Sequence, residues 1–223
     1  MKAPEIELYS APLCPFAHRT RLTLAEKGLV ARVIDVDLRN KPTEFAALTP
    51  TGEVPVLKVG DDCVWDCAVI DEFLEQVTPE PPLLPAEPVH RARARAWIRF
   101  ADRRLYADTK RLLVAADPDA RGAAMAAVRE NLRFMQHHAF AAVDAGPYWM
   151  GERITLVDLT FVPWFEQSPM LEGLLGFTWP SGSERLRGWY DYVARRPAVE
   201  AESRPAEFYL HEYGKLMRNR TAH

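Results

Sequence analysis

The sequence predicts an α/β domain over residues 1–77, a linker over 78–88 and an all-helical domain over 89–223. Three observations carry this reading. Residues 1–77 switch repeatedly between two-residue and helical apolar spacing. Residues 78–88, TPEPPLLPAEP, hold five prolines, the composition of a connector. Beyond Pro88 the apolar residues recur at helical spacing almost throughout. A chain of 223 residues has length for one large domain or two small ones, with a substantial core either way.

The first elements follow in order. Ile6 and Leu8 alternate with Glu5 and Glu7, the pattern of a half-buried strand, and Ser10-Ala11-Pro12 turns the chain. From Phe16 onward Leu22, Ala25 and Leu29 mark one helical face, with Gly28 as a stop signal. Residues 32–38 read as a second strand, with Ile34, Val36 and Leu38 on one face. Asn40-Lys41-Pro42 is irregular, a short helix is expected near 43–48, and Thr49-Pro50-Thr51-Gly52 is a turn signal. Val56–Val59 and Cys63–Trp65 flank Gly60-Asp61-Asp62 as a hairpin. Val69, Ile70, Phe73, Leu74 and Val77 then line one face of a helix that Asp66 opens. The order βαβ, short helix, ββα is that of a thioredoxin-like domain.

In the second domain helices are expected near 89–115, 119–145, 155–168, 183–196 and 206–218. Pro118, Gly146-Pro147, Pro169, Trp179-Pro180 and Pro197 punctuate them. Thr155-Leu156-Val157-Asp158 has the form of a helix N-cap, and Ile154 is placed to staple onto Leu159. No internal repeat or low-complexity tract is present.

Charge and composition narrow the function classes. Lys and Arg number 28 against 31 Asp and Glu, a net charge of −3, which gives no reason to expect nucleic acid or an anionic membrane surface. The arginines at 91, 93, 95, 99, 103, 104 and 111 are interleaved with Asp102 and Asp108, as on a solvated or subunit-facing helix. MKAPEIELYS has no apolar stretch behind its lysine, so no signal peptide is read, and no apolar run has the length of a membrane span. Three cysteines in a chain this long form no disulfide scaffold and point to a reducing, cytoplasmic setting. His137 and His138 lack further ligands at usable spacing, so no metal is expected.

The chemistry centres on Cys14-Pro15-Phe16-Ala17. Cys14 opens a helix, where unpaired N–H groups and the helix dipole favour an anion, so its thiol pKa is expected to fall. The bland alternative is an inert, packed cysteine. Ala17 stands where a CxxC motif has its second cysteine, so the thiol needs an external partner to complete an exchange cycle, and glutathione is the obvious soluble one. Val54-Pro55 lies between turn and strand. A cis bond there, as thioredoxin-like folds carry, would expose the Val54 N–H and C=O for strand-like pairing with a bound peptide thiol. Asp66 and Cys67 start a helix suited to the γ-glutamyl end: N–H groups for its carboxylate, Asp66 for its ammonium, with a plain N-cap as the alternative. Lys41 is either a solvated loop lysine or within reach of the glycyl carboxylate. Cys63 reads as hairpin packing. Trp164, Phe165, Phe208, Tyr209 and Tyr213 read as core, with some available to an acceptor pocket.

The stretches CPFAHRTRLTLAEKG (14–28), NKPTEFAALTPTGEVPVL (40–57) and YWMGERITLVDLTFVPWF (148–165) resemble the glutathione transferase superfamily, most closely the omega class and related cysteine-type enzymes such as dehydroascorbate reductases. The resemblance spans essentially the whole chain. It implies that Cys14 forms a mixed disulfide with glutathione, that Phe16 lies beside the thiol, and that Val54 gives the backbone contact before a cis Pro55. It also implies that Lys41 approaches the glycyl carboxylate. Asp66-Cys67 falls where the family usually has Glu-Ser, and the thiol is a weaker donor than the hydroxyl it replaces. The helical domain would supply most of the acceptor pocket, with Pro15, Trp164, Phe165 and Phe208 as candidates.

A cysteine in place of the family's tyrosine or serine makes the enzyme itself nucleophile and leaving group. That favours a glutathione-dependent thiol transferase or reductase, acting on a small electrophile, disulfide or conjugate with glutathione as co-substrate, over simple conjugation. The alternative is a non-enzymatic regulator or binding protein on the same scaffold, like the stringent-starvation proteins or intracellular chloride channel proteins. The joint presence of Cys14, Lys41, Val54-Pro55 and Asp66 argues for the enzyme. The resemblance also implies a homodimer, for which the arginine-rich helix and the acidic helix of Asp71, Glu72 and Glu75 are the expected complementary surfaces.

Overall fold

The alternation at Ile6 and Leu8 forms β1 (Ile6–Ser10), with Leu8 fully buried. The computed structural model describes residues 5–139 and 146–221. β1 is the second strand of a four-stranded sheet ordered β2-β1-β3-β4, where β2 is Arg32–Asp35, β3 is Val56–Val59 and β4 is Asp62–Trp65. β2 runs parallel to β1, and β3 and β4 are antiparallel neighbours. α1 (Pro15–Glu26), α2 (Thr43–Ala46) and α3 (Cys67–Val77) complete the expected thioredoxin-like order. Because side chains alternate along a strand, Leu8 and Leu57 pack with Leu24, Ile70 and Leu74, while Val56 packs with Ala11, Val36, Phe45 and Val54.

The second strand is shorter than its alternation suggested. β2 ends at Asp35; Val36 still donates its N–H to the Ser10 carbonyl at 2.8 Å, but Leu38 lies in the turn beyond and is exposed. The first compact unit is larger than expected, running to Leu83 and taking in α9 (Pro197–Glu202) from far along the chain. Lys27 ties down the proline-rich stretch: its Nζ donates to the carbonyls of Thr78 at 2.8 Å and Pro81 at 2.6 Å, and to the Glu75 carboxylate. Glu75 in turn accepts the Leu83 N–H at 3.0 Å. α9 is held by fully buried Val199 and by Glu202, whose Oε2 accepts from Arg21 Nε at 3.1 Å. Composition marked 78–88 as one linker; specific hydrogen bonds divide it.

The helical unit comprises α4 (Pro88–Phe100), a π-helical turn over Ala101–Tyr106, α5 (Ala107–Val114), α6 (Pro118–His138), α7 (Leu156–Leu175), α8 (Glu184–Val193) and α10 (Ala206–Thr221). The helix expected over 119–145 ends at His138, and 140–145 lie outside the described residues. α7 runs through Pro163 and past Pro169, the expected stop, to the left-handed Gly176 at φ 64°. Its residues are buried from Leu156 to Ser168, so packing on all sides outweighs what the prolines cost the helix ladder. The predicted cap forms as a capping box between Thr155 and Asp158. Asp158 is fully buried and takes four bonds: from Trp149 N, Thr155 N and Trp189 Nε1 at 2.8 Å, and from Thr155 Oγ1 at 2.9 Å. The turn before it needs Gly146, at φ 152°, because a Cβ there would lie 2.2 Å from the Gly151 carbonyl carbon. Among the described residues no helix is long and apolar enough to cross a membrane.

Candidate functional site

The strand register gathers the predicted residues at one end of the sheet. Tyr9 pairs with Val56 and Val56 with Trp65, so the chain leaving β1, the chain entering β3 and the chain leaving β4 lie side by side. Those three segments carry Cys14, Val54-Pro55 and Asp66-Cys67. The Val54–Pro55 bond is cis.

Cys14 is the N-cap of α1. Its Sγ accepts the Ala17 N–H at 3.5 Å and lies 3.8 Å from the Val54 carbonyl oxygen, toward which it donates. The half-buried thiol packs on the cluster of Ala11, Val36, Phe45, Val54 and Val56. This packing reverses the expected pKa direction. Burial pushes the Cys14 thiol above its ordinary value, and the N–H groups of Ala17 and Phe16 with the charges of Arg21 and Arg19 only partly offset it. The helix start is visible in the sequence, whereas the desolvation that outweighs it comes from residues that only the fold brings together.

Two cations beside the thiol were missed from sequence, though Arg19 and Arg21 stand in the same helix as Cys14. Arg19 is buried beneath Phe16, its guanidinium carbon 5.7 Å from the ring centre. Arg21 donates from Nη1 to Ser10 Oγ at 2.9 Å and from Nε to Glu202. Nothing local in the sequence links Glu202 to Arg21, 181 positions away.

Asp66 is exposed and adopts φ 72°, and its Oδ1 accepts from Ala68 N at 2.9 Å and Val69 N at 3.3 Å. The N-cap reading therefore holds, and these bonds use only one carboxylate oxygen. Cys67, the first residue of α3, is buried. Lys41 is exposed and donates to the Gly52 carbonyl at 2.8 Å, in the loop leading to Val54. Cys63 is half-buried against the cluster that also packs Cys14.

The acceptor-pocket candidates divide. Pro15 is half-buried at the start of α1. Trp164 and Phe165 are each 2% exposed, and Trp164 Nε1 donates to Thr109 Oγ1 at 2.8 Å, so both are core of the helical unit rather than pocket walls. Period alone could not distinguish these, because α7 is apolar around its whole circumference. Phe208 is half-buried with the Arg204 guanidinium over its ring at 5.2 Å. The proposed acidic docking face is also corrected: Asp71 and Glu75 are buried at 2% and 7%, Glu75 in the ion pair with Lys27. No cluster of metal-ligating side chains occurs among the described residues.

The sequence profile of the glutathione S-transferase N-terminal domain matches residues 13–77. Glutathione S-transferase omega-1 of Sus scrofa is 29% identical over 199 residues, covering 88% of this chain and 79% of that protein. A stringent starvation protein A homolog of Coxiella burnetii is 30% identical over 171 residues, covering 77% of this chain and 79% of that protein. Among solved structures, rice GST1 in complex with glutathione superposes with a TM-score of 0.86 at 28% identity, covering 97% of this chain and all of that one.

Proposed function

The chain belongs to the glutathione transferase superfamily and is omega-like, and we propose that it is a glutathione-dependent thiol transferase or reductase working through Cys14. One observation carries this reading. The Cys14 thiol lies 3.8 Å from the Val54 carbonyl, so the nucleophile stands against the backbone edge that would pair with the tripeptide.

In the proposed cycle the Cys14 thiolate attacks the glutathionyl sulfur of a mixed disulfide, forming Cys14–S–S–glutathione as the old S–S bond breaks and the partner leaves as thiolate. A second glutathione thiolate then attacks the glutathionyl sulfur, releasing oxidised glutathione and restoring the Cys14 thiolate. The Ala17 N–H and the Arg19 and Arg21 charges stabilise that thiolate in both steps. Val54 pairs with the backbone of the bound tripeptide. The second oxygen of Asp66 takes its ammonium, the start of α3 at Cys67 takes the γ-glutamyl carboxylate, and Lys41 takes the glycyl carboxylate. Phe16 covers the thiol, and Pro15 is the acceptor-side candidate beside it. We expect the protein to act in the cytoplasm as a twofold homodimer.

The test is turnover of a glutathionylated peptide by wild type and Cys14→Ala. Loss of activity by a hundredfold or more is expected, and equal turnover by the variant would refute the mechanism. The likeness to the stringent starvation protein homolog supports a second reading, a regulator that binds partners without turnover. Wild-type protein that binds glutathione yet turns over neither glutathionylated peptide nor dehydroascorbate would favour it.

A further inference from the structure

Arg21 ties together three parts of the first unit behind the Cys14 thiol. It stands two turns beyond Cys14 on the same side of α1, and long side chains on a helix lean back toward its start. Its Nη1 reaches Ser10 Oγ at 2.9 Å. Ser10 is buried at the end of β1, just before the turn that the Cys14 N–H closes on the Ala11 carbonyl at 3.0 Å. Arg21 Nε meets Glu202 Oε2 at 3.1 Å. The arginine side chain is only 10% exposed and the glutamate 32%. Glu202 arrives on α9, whose Val199 is fully buried. A segment from far along the chain therefore brings a carboxylate to a cation held under the nucleophile's turn.

We propose that Glu202 is a positioning residue for the Cys14 nucleophile: it holds the Arg21 guanidinium against Ser10 and offsets part of its charge. The inference rests on Cys14 as the reacting thiol. A planar guanidinium with two fixed partners, one at each end of its fork, has one place to sit. From there its charge favours the Cys14 thiolate, more than that of Arg19 does. A carboxylate beside the guanidinium cancels part of that field, so Glu202 limits how far Arg21 can acidify the thiol. The other ionisable groups packed about the thiol are Arg19 on α1, under Phe16, and Tyr9 and Cys63 on the strands. A glutamate that merely tied α9 to α1 would change stability and leave the acidity of Cys14 alone.

The test is the pH profile of Cys14 alkylation by iodoacetamide at low ionic strength, in a Cys63→Ser, Cys67→Ser background. Glu202→Gln keeps an oxygen for Arg21 Nε and removes the charge, so the midpoint should fall by about half a pH unit, a roughly threefold larger thiolate fraction below it. Glu200→Gln, at an exposed acid on the same helix, should leave the midpoint at the wild-type value. Arg21→Met should raise the midpoint, and adding Glu202→Gln to it should produce no further change. Circular dichroism checks the fold of each variant. An unchanged or raised midpoint in Glu202→Gln, an equal fall in Glu200→Gln, or the full Glu202→Gln shift persisting in Arg21→Met would each overturn the proposal. If Arg21→Met does not fold, the comparison of the two glutamine variants decides alone. Alkylation needs no turnover, so a Cys14→Ala protein as active as wild type would refute the catalytic cycle while leaving these midpoints as measured.

Discussion

Replacing Asp158 should cost the helical unit more than any other single polar change. Its carboxylate joins the turn at Trp149, the start of α7 and the indole of Trp189 on α8 through four bonds. In Asp158→Ala three N–H donors, Trp149 N, Thr155 N and Trp189 Nε1, lose their acceptor inside the protein, whereas the Thr155 hydroxyl can rotate. An orphaned buried donor costs about 1–3 kcal/mol, which gives roughly 3–9 kcal/mol. Burial of the charge pushes the Asp158 carboxyl above its usual range despite the bonds, so part of their gain is already offset and the lower half of that interval is expected. About 4 kcal/mol is a large share of a stability of about 5–15 kcal/mol. Asp158→Asn keeps one acceptor oxygen for Trp149 N and Trp189 Nε1, and its amide can donate to the rotated hydroxyl. Only Thr155 N is orphaned, for about 1–3 kcal/mol. Urea unfolding followed by tryptophan fluorescence reads both, since Trp149 and Trp189 flank the site. A loss below about 1 kcal/mol in Asp158→Ala, or a larger loss in Asp158→Asn than in Asp158→Ala, would refute the accounting.

In a Cys63→Ser, Cys67→Ser background, alkylation of Cys14 should have its midpoint above the ordinary cysteine value of about 8.5, because burial raises the thiol. The folded state then holds the proton more tightly than the unfolded one, so this group's contribution to stability is lost as pH rises through the folded value; a midpoint at or below the ordinary value refutes both. Lys27→Met should destabilise by about 3–5 kcal/mol by stranding the buried Glu75 carboxylate, and adding Glu75→Gln should recover part of it in a double-mutant cycle. Asp66→Ala should weaken glutathione by on the order of 1–3 kcal/mol. Asp66→Asn keeps the oxygen that caps α3 and so isolates the charge, and calorimetry with both variants at wild-type affinity would leave Asp66 only a cap. Light scattering should give twice the chain mass, indifferent to salt because Asp71 and Glu75 are buried; a monomer at micromolar concentration removes the dimer.

Local chemistry made much of this chain legible. The alternation at Ile6 and Leu8, the hairpin about Gly60, the cap at Thr155 and Asp158 and the placement of Cys14 before α1 all rest on interactions within a few residues, so spacing reports them. Even the convergence of Cys14, Val54 and Asp66 follows once the strand order is known, because each lies next to a strand end. What the sequence could not determine depends on partners distant along the chain. Trp164 and Phe165 share an all-round apolar helix, where period carries no direction, and only packing made them core. Asp71 and Glu75 read as surface charge because acids usually are; Lys27, 48 positions from Glu75, decides otherwise. The rise of the Cys14 pKa has the same origin: the helix start that lowers it is local, whereas the cluster that desolvates it joins residues 11 to 56 and exists only once the sheet has closed.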